Sequence, residues 1–101
     1  MTKFDHPDLE DTWFTVKEEP TMRDVLQYDS EITGRMSSTL YPRLWAGVKW
    51  FVDEWHCDFV EPNAEAEELL GRSFDSRIVE VIKWAGLVCF SYRQNLEPEK
   101  N

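Results

Sequence analysis

Tyr41, Leu44, Trp45, Val48, Phe51, Val52 and Trp55 recur at the i, i+3, i+4, i+7 spacing of a helix with one buried stripe. Pro42 suits the first turn of that helix. Its opposite face carries Arg43, Lys49, Asp53 and Glu54, together with Trp50, which the periodicity sets off the stripe. A second periodic stretch runs from about Ser76 to Arg93, where Ile78, Val81, Ile82, Ala85, Cys89 and Tyr92 form a stripe. Ser73 or Asp75 is placed to cap it. Val79, Leu87 and Phe90 are apolar as well, with Trp84 and Val88 between the two faces, and a helix apolar on most sides is either central in its fold or shared with a partner.

The shorter elements follow from local chemistry. Trp13, Phe14, Thr15 and Val16 are aromatic and β-branched, a strand-like run ended by Lys17, Glu18, Glu19 and Pro20. Such a strand needs a partner, for which Phe59 and Val60 are candidates, or it lies as a strap over helices. Thr21 followed by Asp24 resembles a capping box and predicts a helix over 22–32, with Met22, Val25, Leu26 and Ile32 on its apolar face and Gly34 closing it in the left-handed conformation. Arg35 to Thr39 reads as a loop. Ala64 to Leu70 predicts a short helix ended by Gly71. The expected fold is therefore mainly α, with three main helices, a short helix and one or two short strand-like segments in the N-terminal and central regions. It forms one domain over 13–95, between a flexible acidic arm (1–12) and a polar tail (96–101).

Charge narrows the partners. Twenty acidic residues oppose eleven basic ones in 101 residues, for a net charge of -9. The basic residues are scattered, so neither nucleic acid nor an anionic membrane is favoured, and a basic protein surface is the natural electrostatic complement. Asp53, Glu54, Asp58, Glu61, Glu65, Glu67 and Glu68 crowd a stretch that has no lysine or arginine. It reads as a solvated acidic surface or as an imitation of the DNA backbone. The first ten residues lack the apolar stretch of a signal peptide, and no run approaches the roughly 20 apolar residues of a membrane span, so a cytoplasmic location is expected. In that compartment Cys57 and Cys89 read as buried thiols.

Candidate chemistry is sparse. His56 beside Cys57 lacks the second ligand pair of a structural zinc site. No nucleophile elbow accompanies the two histidines, and the four glycines form no phosphate loop. Neither a catalytic residue, a metal nor a cofactor is expected. Gly47 and Gly86 lie inside helices, where each costs about 1 kcal/mol relative to Ala, so close helix packing is expected of them, the two glycines facing one another. Trp50, Trp84, Leu87 and Phe90 are the candidate partner-binding residues, because the apolar surface exceeds what two stripes can hide.

The order of these segments resembles a set of small proteins of tailed bacteriophages. The likeness rests on Trp13 to Val16 followed by Pro20, Thr21, Met22 and Arg23. It continues through Leu44, Trp45, Gly47 and Lys49, then Trp55 with Cys57, and ends with Val81, Ile82, Lys83, Trp84, Ala85 and Gly86. It spans most of residues 13 to 95 and is similar to tail assembly chaperones, which coat the tape measure protein and keep its hydrophobic helices soluble until the tail tube polymerises around it. The resemblance implies a helical, self-associating or multi-copy protein with a protein client. The competing expectation is an acidic phage-encoded inhibitor that blocks a host nucleic-acid-binding protein.

Overall fold

Trp13–Val16 is the central strand of a three-stranded antiparallel sheet in the computed structural model, which describes residues 2–33 and 40–96. The elements are β1 (Lys3–Asp5), β2 (Trp13–Val16), α1 (Met22–Thr33), α2 (Leu40–Phe51), β3 (Val52–His56), α3 (Ala66–Leu70) and α4 (Ser76–Gln94). The fold is mainly helical, with three main helices and one short helix among the described residues, as the periodicity predicts. Among the described residues it has three strands where one or two strand-like segments were expected.

The sheet differs from expectation at both neighbours of β2. Residues 3–5, assigned to a flexible arm, form an edge strand in register with β2, with Phe4 opposite Phe14. The other partner is not Phe59 and Val60 but Val52–His56, with Phe14 opposite Trp55. The helical stripe therefore ends at Phe51, and Val52 and Trp55 belong to a strand. No linker separates the two elements. The turn is fixed by a long-range hydrogen bond, the Lys17 amide donating to the Phe51 carbonyl at 2.9 Å, which takes up an acceptor at the helix end. A bulge follows, since Val16 pairs with Val52 two residues after Phe14 pairs with Trp55 three residues away. The Glu54 amide in this bulge donates to the buried Thr15 hydroxyl at 3.1 Å, so the irregular ladder leaves it satisfied.

Alternation along β2 sorts the aromatics. On the helix side Phe14 is fully buried, with Phe4 at 5.8 Å, Trp55 at 5.7 Å and Trp84 of α4 at 4.9 Å between ring centroids. On the outer side Trp13 stacks on His56 at 5.6 Å, and the Lys3 ammonium lies 4.7 Å from its ring. The turn from β1 to β2 is held by His6, whose Nδ1 accepts from the Asp8 and Leu9 amides. Asp11 closes it with a φ of 54°, a left-handed conformation that aspartate tolerates better than most residues.

Helices α2 and α4 meet through their glycines. A Cβ on Gly47 would come within 2.3 Å of the Cys89 Cβ, and one on Gly86 within 2.6 Å of the Leu44 Cβ. Each glycine thus receives a side chain of the opposite helix; they do not face one another as expected, but both serve close packing. Asp75 caps α4, accepting from the Arg77 amide. Val81, Ile82, Ala85 and Cys89 are buried as the stripe predicts, while Ile78 and Tyr92 are partly buried against the core.

The capping box of α1 is present, with the Thr21 amide donating to Asp24 at 2.9 Å and the Asp24 amide donating to Thr21 Oγ1 at 3.1 Å. Its buried face is not the expected one. Met22 and Leu26 are 75% and 57% exposed, while Tyr28 and Asp24 are buried and Val25 and Ile32 pack partly against the core. Tyr28 wins because its ring reaches Phe51 of α2 at 4.6 Å. Lys17 accounts for Asp24 by pairing with its carboxylate at 3.0 Å. Gly34 and the loop over 35–39 lie outside the described residues, as does the tail beyond Leu96. Gly71 ends α3 with an ordinary φ of -87°, so no left-handed closure is used there.

Candidate protein-binding site

The four residues proposed from the sequence do not form one patch. Trp84 is partly buried, held between Phe14 and the His6 ring, whose centroid is 4.9 Å away. It supports the sheet. Trp50 lies at the α1–α2 boundary, where its Nε1 donates to Glu31 at 3.0 Å and the Lys49 ammonium sits 5.2 Å from its ring. Leu87 and Phe90, one turn apart on α4, are 65% and 47% exposed. Phe90 borders a shallow depression with Ile32 of α1.

Leu87 lines a groove of about 640 Å³ between the C-terminal half of α4 and the first two strands. Phe4, Val16, Val88 and Tyr92 supply its apolar walls, with Lys17 and Glu18 at the rim. The groove has walls on both sides because Phe4 of β1 and Val16 of β2 line it opposite α4. Phe4, Val16 and Tyr92 were not among the sequence candidates, and Val88 was placed only between two helix faces. Their role depends on a strand that periodicity cannot reveal. The Tyr92 hydroxyl donates to the Lys17 carbonyl, tying the groove floor to the segment before α1.

Electrostatics divides the molecule. On α1, Asp24 and Asp29 are paired: Lys17 holds Asp24, and Arg93 grips Asp29 through two hydrogen bonds of 2.8 and 2.9 Å. That grip holds the Asp29 carboxyl below its ordinary value against a smaller opposing effect of burial. Burial alone would raise Asp24, but the Thr21 amide and the Lys17 ammonium together bring it below its ordinary value. Burial pushes the thiol of Cys89 up to about 12 and, with the nearby Cys89 and Asp29, the phenol of Tyr28 to about 12.

The acidic stretch is partly neutralised from just outside it. Arg72 binds Glu68 at 2.8 Å and Glu61 at 3.0 Å. Asp53, Glu54, Asp58, Glu65 and Glu67 have no ion pair among the described residues. Asp53 and Glu65 line a second cleft, of about 570 Å³, between α2, β3 and the 62–66 segment.

His56 and Cys57 are spent on local structure. The His56 Nδ1 donates to the Asp11 carbonyl at 2.7 Å, and burial raises the Cys57 thiol above its ordinary value. Both cysteines are free. Among the described residues, no three His, Cys, Asp or Glu side chains are grouped to hold a metal ion, and no helix is long and apolar enough to cross a membrane. No protein-family model, curated protein or solved structure matches the chain.

Proposed function

We propose that this chain is a protein-binding domain that takes an apolar helical segment of a client in the groove beside Leu87, and that it serves as a tail assembly chaperone of a tailed bacteriophage. The client is the tape measure protein, and the site of action is the host cytoplasm. The observation that carries the binding reading is the groove itself: an apolar trough walled by Phe4, Val16, Val88 and Tyr92, with Leu87 65% exposed on its lip. A helix laid there would bury apolar surface on both partners, at roughly 25 cal/mol per Å². The net charge of -9 would keep the complex soluble. The identity of the client rests on the sequence likeness described above.

Co-expression with a tape measure protein, followed by affinity capture, tests the proposal. The client is expected to stay in the soluble fraction with the wild-type chain and to be lost from the complex with Leu87→Glu. A client that precipitates equally with and without this chain would remove the chaperone reading. The competing reading, an acidic inhibitor of a host nucleic-acid-binding protein, draws on the unpaired carboxylates of 53–67. It requires affinity that falls steeply with salt, whereas apolar docking changes little.

A further inference from the structure

We infer that the cleft between α2, β3 and the 62–66 segment is a second docking site, built for a lysine- or arginine-bearing segment of another protein. Its accessible apolar surface comes from Pro42, Val52 and the Trp55 indole, backed by the buried Trp45 and Ala46. Both indoles are fixed, Trp45 Nε1 donating to the Ala64 carbonyl at 2.8 Å and Trp55 Nε1 to the Val60 carbonyl at 2.9 Å. The cleft therefore has the fixed Trp55 indole in its wall and Trp45 buried behind it.

Its charged lining is mainly acidic. Glu31, Asp53 and Glu65 line it against the single cation Lys49. Asp53 and Glu65 have no ion pair among the described residues, and Glu31 accepts only the Trp50 indole N–H there. Lys49 is itself drawn toward the Trp50 ring. A lysine or arginine side chain laid in the cleft would rest its alkyl stem on the apolar wall and present its charge to these carboxylates. The volume of about 570 Å³ lies in the range of ligand clefts, roughly 300–1,000 Å³, and suits a peptide segment.

A second copy of this chain is the wrong occupant. Its net charge of -9 opposes approach to an acidic cleft. Arg72, Arg77 and Arg93 are held by carboxylates of their own chain, while Arg23 and Arg43 have no ion pair among the described residues, so the charge balance carries the argument. This site is distinct from the Leu87 groove, so either can stand without the other.

The test is titration of the isotope-labelled full chain with a synthetic amphipathic peptide of lysine and leucine, and with its counterpart in which glutamate replaces every lysine. The lysine peptide is expected to shift the indole N–H resonances of Trp45 and Trp55 and the amides of Asp53 and Glu65. The glutamate peptide should leave them in place. Asp53→Asn combined with Glu65→Gln should weaken the lysine peptide roughly tenfold, each exposed charge contributing up to about fivefold. The unfolding midpoint of that variant is measured alongside to show that it folds. Shifts confined to Phe4, Leu87, Val88 and Tyr92, or equal affinity of the folded double variant, would overturn the cleft while leaving the groove proposal intact. Client binding unchanged in Leu87→Glu, with the lysine-peptide shifts at the cleft retained, would do the reverse.

Discussion

The two faces of α4 carry similar apolar side chains and have opposite fates. Toward α2, Cys89 packs onto Gly47 and Gly86 receives Leu44, so closely that a methyl group on either glycine would overlap the neighbouring helix. One face away, Leu87 and Phe90 stand in the open. Hydrophobicity alone does not separate them, since Leu87 and Phe90 on the outward face are as apolar as Val81 and Cys89 on the inward one. Separation comes from the glycines, which let the two backbones approach on one side and thereby commit that side to the core. The other face is left available for a partner.

The largest way to break this contrast is to add one carbon at the contact. Gly86→Ala places a Cβ 2.6 Å from the Leu44 Cβ and 2.8 Å from the Leu44 carbonyl oxygen, which is backbone and cannot swing away. A loss of about 3 kcal/mol in urea unfolding is expected, because overpacking outweighs the roughly 1 kcal/mol gain in helix propensity. Gly71→Ala is the control. Its Cβ would meet only the Glu67 and Glu68 carbonyl oxygens at 3.6 and 3.7 Å, so the change should be neutral or stabilising by about 0.5 kcal/mol. Equal destabilisation at both sites would refute the packing account.

The next effect comes from alkali. Cys89 and Tyr28 keep their protons in the folded chain at pH values where the unfolded chain releases them, near 9.0 for the thiol and 10.0 for the phenol. The unfolded state then binds fewer protons, so this contribution to stability is complete below about pH 9 and falls as pH rises toward 12. Urea midpoints across that range should decline, and alkylation at neutral pH should label Cys57 before Cys89.

Smaller still is the α1 cap. Thr21→Ala removes the acceptor for the Asp24 amide and should cost about 1 kcal/mol. Asp24 and Asp29 have lowered pKa values, so their contribution is present above the ordinary carboxylate value of 3.8 and is lost as acid drives pH below it. An acid unfolding curve of Asp29→Asn should start from lower stability and lose less in that range. At the far end, Leu87→Ser should change stability by no more than about 0.5 kcal/mol, as befits an exposed position, while removing client binding. A large loss of stability there would mean that Leu87 belongs to the core.

The helices were legible because their periodicity is written in many residues at once. Val81, Ile82, Ala85 and Cys89 agree on one buried stripe, and Thr21 with Asp24 marks the start of α1 by chemistry alone. What stayed hidden depends on residues far apart in the chain. Lys3 to Asp5 has no strand signature of its own and becomes one only beside β2. Val52 and Trp55 lie three apart, a helical spacing that a strand puts on one face only through the bulge between them, and the hydrogen bond that ends the helix comes from Lys17, far upstream. Met22 and Leu26 looked like the inner face of α1 because they are aliphatic, yet the longer reach of Tyr28 to Phe51 set the rotation of that helix. Trp50, Trp84, Leu87 and Phe90 were legible as surplus apolar residues. Their dispersal over separate regions was not, because it follows from how the sheet sits on α4.

Because Phe51 and Val52 are neighbours with nothing between them, the last helical turn of α2 sets the phase of β3 directly. One residue inserted at this joint would reverse which side of the sheet each β3 side chain addresses, carrying Trp55 away from Phe14. Length variation should therefore be forbidden at 51/52 and tolerated in exposed turns, a pattern that insertion scanning would expose as a sharp gap in viability.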